Sequence, residues 1–274
     1  GGAGNDLFSL GNTANSLAGL LGAIGINGGA NAGGPTNTVT AGDRSNTLLA
    51  GDRVEFRDQG NVGTFYTLTP TTLSRPGLSQ IVFQTVETVT LRTGLTGSVV
   101  TVNGTSDSTT TYVENGNADD VVTVNGTGAS SSLQVNANGG NDQMFLRATG
   151  MGSVTSLSGN DGNDSFFLGN LANSLDDLRG TVSVAGGPNT GEDFLFLNDQ
   201  GDATANTYGV NAAVFTRAGS PNVFYSGMER FTLNGGTGAN TYFVNATGAT
   251  DRSTIQAGPG PGLFSGNGPR PPAN

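Results

Sequence analysis

Residues 121–168 read VVTVNGTGASSSLQVNANGGNDQMFLRATGMGSVTSLSGNDGNDSFFL, and the spacing inside this stretch decides the fold. Short apolar or Thr-rich tetrads fall at 121–124, 132–135, 143–146, 154–157 and 165–168, one every 11 residues. The same spacing runs back through tetrads at 88–91, 99–102 and 110–113. Each tetrad is bounded by Gly, Asn, Asp and Ser, the mark of a strand between turns, and leaves no place for a helical period. The turns alternate between an acidic kind, such as Asn117-Ala118-Asp119-Asp120, and a neutral kind, such as Asn125-Gly126-Thr127-Gly128. Two unlike half-turns of 11 make one coil of 22, and such a chain lays each strand on its copy one coil later, about 4.8 Å away. The predicted fold is all-β: a parallel β-solenoid, a right-handed β-helix or β-roll, of roughly 12 coils.

A longer period lies over the short one. Residues 4–29 match 162–187 without a gap at an offset of 158, with 15 identities in 26 positions. A second block matches at an offset of 142, pairing Tyr66 with Tyr208, Arg75 with Arg217 and Glu87 with Glu229. Asp-Gln-Gly at 58–60 recurs at 199–201, so the order is kept. Unit 1 spans 1–158, unit 2 continues it over 159–262, and 263–274 is a Pro/Gly-rich tail or linker. The one apolar run, Leu17 to Ile26, is too short for a membrane span of about 20 residues. Its counterpart carries Asp176, Asp177 and Arg179, which makes it a solvent-touching segment with at most one short helical turn.

Composition agrees with a fold that needs little core. Of 274 residues 46 are Gly, 34% are hydrophobic and 12% are charged, about half the usual charged share. Fourteen Phe and many Val and Thr argue against disorder. With no Cys and no His, a thiol nucleophile, a Ser-His-Asp triad and a zinc site of the usual ligands are excluded. A net charge of −10 argues against nucleic acid as a partner and leaves a cation as the natural one. The chain opens inside a motif with no initiator Met, as a processed chain or a piece of a longer one would.

GGAGNDLFSL (1–10), GGNDQMFL (139–146), DGNDSFFL (161–168) and GGTGANTYFV (235–244) resemble the RTX nonapeptide G-G-x-G-x-D-x-U-x. That resemblance implies a calcium-binding parallel β-roll of a secreted bacterial protein. The longer unit is similar to repeats of very large bacterial surface proteins. This chain departs from the RTX pattern in its coil of 22 residues and in having one acidic turn per coil.

The spacing makes its own case for a cation. Asp120, Asp142 and Asp164 stand 22 apart, with Asp119, Asn141 and Asn163 beside them and Asp161 in the same turn as Asp164. Stacking places their carboxylates about 5 Å apart, where like charges repel unless hydrated or neutralised. Calcium suits a flexible set of oxygens and is the expected ion. Asp6 and Asp193 are aligned equivalents, while Ser98 and Asn240 hold the same place elsewhere. The alternative is that these residues are turn formers that cap their own backbone and stay hydrated.

Arg75 with Glu87 and Arg217 with Glu229 share a separation of 12 and are expected to pair across a turn. Phe166, Phe167, Phe194, Phe196, Tyr208, Phe224, Tyr225 and Phe231 are expected to stack in the core in preference to forming a sugar platform. Asn103, Asn125 and Asn245 begin Asn-x-Thr strings that the repeated turn generates anyway.

The function these features point to is non-enzymatic: an extracellular or cell-surface bacterial β-solenoid, a block of a surface filament, layer or adhesin stalk. Its partners would be other copies or further repeats stacked end to end, and a polysaccharide or cell-surface contact. Two alternatives remain. One is a β-helical polysaccharide lyase or epimerase using Asp119, Asp120, Asp142 and Arg147; the other is a calcium-folded secretion segment of a larger protein.

Overall fold

The computed structural model describes residues 5–29, 51–187, 191–247 and 252–266, and every described regular element is a strand. The chain opens with β1 (Leu7–Leu10), β2 (Ile24–Asn27) and β3 (Arg53–Arg57). Three short strands follow: β4 (Phe65–Leu68), β5 (Thr72–Ser74) and β6 (Ile81–Gln84). The regular stretch comprises β7 (Thr88–Arg92), β8 (Val99–Val102), β9 (Thr110–Glu114), β10 (Val121–Val124) and β11 (Ser132–Asn136). It continues through β12 (Gln143–Leu146), β13 (Val154–Ser158), β14 (Ser165–Leu168), β15 (Thr181–Ala185) and β16 (Phe194–Asn198). A second short trio is β17 (Thr207–Val210), β18 (Val214–Arg217) and β19 (Val223–Ser226). The last strands are β20 (Arg230–Asn234), β21 (Thr241–Val244), β22 (Arg252–Gln256) and β23 (Leu263–Gly266).

Successive passages alternate between a 12-stranded and an 11-stranded sheet, which makes the molecule a two-sheeted β-solenoid. Val122 pairs with Met144 and Met144 with Phe166, all in parallel, as a coil of 22 requires. Along β8 to β16 the burial alternates, because the pleat sends every second side chain inward. Val122, Met144, Phe166, Leu195 and Phe231 therefore form one buried column, each at most 1% exposed. Each fully buried side chain of this kind contributes about 1.5–3 kcal/mol, so a narrow apolar stripe suffices.

Two segments break the parallel rule. After β3 the chain enters the 11-stranded sheet at β4, turns back antiparallel through β5 to β6, and β6 pairs parallel with β2. β17, β18 and β19 do the same in the 12-stranded sheet, between β15 and β21. Gly77 and Gly219, at φ 80° and 79°, close the second turn of each switchback, a left-handed conformation that glycine adopts without strain. Each switchback spends three strands on one passage. The 23 described strands accordingly make nine and a half turns, against the expected dozen.

The switchbacks explain the long repeat. Phe8 of β1 corresponds to Phe166 of β14, and Tyr66 of β4 to Tyr208 of β17, thirteen strands on in both cases. Thirteen is odd, so the second unit starts on the opposite sheet and its switchback lies on the other face of the solenoid.

Smaller expectations change. The Leu17 to Ile26 run touches solvent as expected, with Leu21 78% exposed, but this segment and its counterpart are hydrogen-bonded turns without a helix, anchored by Leu17 and Leu175 at 0% and 2%. Leu263–Gly266 forms β23 on β21, so the solenoid runs into the expected tail. Residues 267–274, the opening Gly1–Gly4 and most of the extra segment between Gly29 and Val54 lie outside the described residues.

Candidate functional site

The acidic turns build two concentric columns. In the inner one, the residue before each of β10, β12, β14 and β16 turns its side chain into the corner of the coil. Asp120, Asp142, Asp164 and Asp193 are at most 1% exposed. The Asp120 amide donates to Asp142 Oδ1 at 2.7 Å, Asp142 to Asp164 Oδ1 at 2.8 Å, and Asp164 to Asp193 Oδ1 at 2.8 Å. Ser98 begins the series by donating to Asp120 Oδ1 at 2.5 Å, and Glu229 ends it by accepting from the Asp193 amide at 2.8 Å. In the other sheet Asp6 donates to Asp52 Oδ1 at 2.6 Å and Asp52 to Glu87 Oε2 at 2.7 Å. Each seam thus ends in a glutamate just after a switchback.

The outer column is exposed. Asn141 donates its amide to Asp119 Oδ1 at 2.7 Å, Asn163 to Asn141 Oδ1 at 3.0 Å, and Glu192 to Asn163 Oδ1 at 3.0 Å. Asp161 lies on the rim of a shallow groove of about 400 Å³ that it lines with Asn117, Asn138, Gly139 and Asn160. Asn138 and Asn160 take left-handed φ values of 71° and 72°, a conformation asparagine tolerates better than most residues.

Burial is the largest influence on the inner carboxyls. It pushes Asp120 up to about 6 against the pull of the Ser98 and Gly116 amides. Asp142 rises to about 8, through burial and the neighbouring Asp164, Asp120 and Asp119, and Asp164 to about 6. Oδ2 of each has no hydrogen-bond partner.

These oxygens do not fit calcium, which needs six to eight converging ligands. One oxygen of each inner carboxyl is held by a backbone amide, and the other is closed in: a Cβ on Gly159 would stand 2.0 Å from Asp164 Oδ2. Among the described residues no group of three or more Asp or Glu is arranged to hold a metal ion. The capping alternative is met only in part: the inner carboxyls do accept backbone amides, but from the preceding coil, 22 to 29 residues away, and they are buried where hydration was expected.

A second polar cluster recurs at each switchback. Arg75 Nε lies 2.6 Å from Asp58 Oδ2, and the Tyr66 hydroxyl donates to that oxygen at 2.6 Å. Arg217 Nε lies 3.0 Å from Asp199 Oδ2, Tyr208 donates to it at 2.7 Å, and Arg217 also binds Asp176 and Asp202. Burial works against the Arg217 charge, yet Asp176, Asp199 and Asp202 hold its pKa above the ordinary value. The expected Arg–Glu pairs are therefore corrected: Glu87 and Glu229 accept from backbone, and the arginines bind Asp58 and Asp199. The repeated Asp-Gln-Gly carried that signal in the sequence.

The residues proposed for lyase chemistry are not brought together. Asp120 and Asp142 point inward, while Arg147 follows the far end of β12 and donates to Asn125 Oδ1 at 2.8 Å. The aromatic expectation holds for Phe166, Tyr208, Tyr225 and Phe231 but not for the rest. Phe145, Phe167 and Phe196 stack outside the 11-stranded sheet at 4.8 and 4.9 Å, with Phe194 beside them, and Phe224 is 42% exposed. Thr105 and Thr127, the last residues of two Asn-x-Thr strings, donate to the hydroxyls of Ser131 and Ser153 at 3.0 Å.

The fold and its seams define a two-sheeted β-solenoid whose acidic turns are knitted by side chain to backbone hydrogen bonds. Compared with known proteins, the chain matches no family model, no curated sequence and no solved structure closely enough to establish kinship. No described helix is long and apolar enough to cross a membrane.

Proposed function

We propose that this chain is a structural block of a bacterial surface filament, layer or adhesin stalk, outside the cell, in which coils stack end to end. One observation carries the reading. Phe166, Leu168 and Val182 are 0% exposed in the interior, whereas their counterparts Phe8, Leu10 and Ile24 in the first described coils are only partly buried. At the other end Ile255 and Phe264 are likewise half-covered, with Phe264 stacked on Tyr242 at 4.7 Å. The surface left open among the described residues is one another coil would cover, by apolar contact and by pairing with the strand edge. A further repeat or a second copy fits both ends, and a heterologous contact of this kind propagates into a filament.

Electron microscopy of the concentrated, purified protein tests this reading. Unbranched filaments, with the axial repeat of one chain, are expected. A protein that stays monomeric at high concentration, or one that depolymerises pectin or alginate, overturns it.

A further inference from the structure

The inner seam holds more acid than its surroundings can keep ionised. Oδ2 of Asp120, Asp142 and Asp164 is buried without a partner, and the column facing it, Thr93, Asn115, Ala137, Gly159 and Gly186, carries no charge. Other charged groups nearby are acidic: Asp193 and Glu229 continue the seam, and Asp119 and Glu192 stand outside it. Arg230 and Arg252 face the outer surface, where Glu192 takes both, at 2.6 and 3.6 Å. A buried carboxylate without a counter-charge is more costly than the neutral acid.

The chain itself shows what this position accommodates. Asn240 holds the equivalent place in a later coil, buried to 1%. Its Oδ1 accepts the Asn206 amide at 2.9 Å, and its Nδ2 donates to the Gly236 carbonyl at 2.6 Å. A protonated aspartate has the same shape and the same pair of roles, one oxygen accepting and one O–H donating. Ser98, at the head of the seam, is also neutral and carries a donor.

We propose that the middle of this seam is a proton-binding site: Asp142, and with it Asp120 and Asp164, folds as the neutral acid, so that protons in place of calcium hold these coils together. The glycine backbone closed over the Asp164 oxygen leaves room for a hydrogen and none for a hydrated ion. The linkage has a definite sign. Folded-state values of about 6 and about 8 lie above the ordinary carboxylate value near 4, so the folded chain binds more protons than the unfolded one between them. Stability from these groups is full below about pH 4 and is lost as the pH rises through about 6 to about 8.

The test uses the whole chain with carbon-labelled aspartate, following each side-chain carboxyl by NMR as the pH is raised. Three carboxyls are expected to titrate well above the rest, the highest of them missing in Asp142→Asn. The melting temperature should fall from about pH 4 to about pH 8 in the natural protein and fall less in Asp142→Asn, with excess calcium and excess chelator giving the same curve. The proposal is overturned if every aspartate titrates near the ordinary value, or if calcium at neutral pH raises the melting temperature and Asp142→Asn abolishes the rise. The titration of the natural chain decides even if the variant does not fold.

Discussion

Tyr66 and Tyr208 stand thirteen strands apart on opposite sheets, and each gives its hydroxyl to a buried aspartate, Asp58 at 2.6 Å and Asp199 at 2.7 Å. The same tyrosine oxygens accept the amides of Gly94 and Gly236, both at 3.2 Å. Asp58 and Asp199 in turn accept the amides of Leu17 and Leu175, each at 2.8 Å. Three chain segments meet on one carboxylate in each unit, so the antiparallel switchback is fastened to the coils on either side.

That fastening depends on the arginine. Arg217→Ala leaves Asp199 and Asp202 buried without their cation, and Arg75→Ala does the same to Asp58. Each is expected to lose about 3–5 kcal/mol. Urea unfolding measures it, and a loss under 1 kcal/mol would show that the cluster is dispensable.

Gly159 should resist even the smallest side chain, because its Cβ would collide with Asp164 Oδ2. Gly159→Ala is expected to cost about 1–3 kcal/mol. Gly126→Ala, with nothing within 4 Å of its added carbon, is the control and should leave stability close to that of the natural chain. Equal effects would refute the packing of the seam.

A charge in the thin core should be tolerated less than a charge anywhere outside it. Met144→Asp and Phe166→Asp place a carboxylate in a column that is at most 1% exposed. Each should cost several kcal/mol and lower the urea midpoint without a matching effect from Gln143→Asp, which faces outward on the same strand.

The outer phenylalanine stack should matter modestly. Phe167 stacks on Phe145 and Phe196 but is half-exposed, so Phe167→Thr should cost about 1 kcal/mol. Thr123 and Thr232 already occupy the same row in neighbouring coils. A loss as large as that of Phe166→Asp would mean that this face is covered in solution.

Much of the solenoid was legible because its information is local and repeated. The tetrads at 121–124, 143–146 and 165–168 locate β10, β12 and β14 and put Val122, Met144 and Phe166 in one column, since a fixed coil length leaves one register. The switchbacks were not legible as such. Phe65–Leu68 and Thr207–Val210 have the composition of any other strand, and the direction in which the chain leaves them is set by which open edge it meets. The Arg75 and Arg217 partners were misplaced for the same reason: a separation of 12 suggested Glu87 and Glu229, while the reversal of β5 and β18 brought Asp58 and Asp199 within reach.

By itself the sequence determined the period, the strand positions, the two long units and the residues of the acidic turns. A solenoid repeats one local rule, and composition and spacing suffice to write that rule down. Only the tertiary structure decided that Asp120, Asp142 and Asp164 turn inward while Asp119, Asn141 and Asn163 turn outward. Neighbouring turn residues stand one position apart in the sequence but differ by the whole distance between water and a closed corner in the fold. That difference sets whether a carboxyl meets solvent, a cation or a backbone amide, and so it sets the chemistry of the seam.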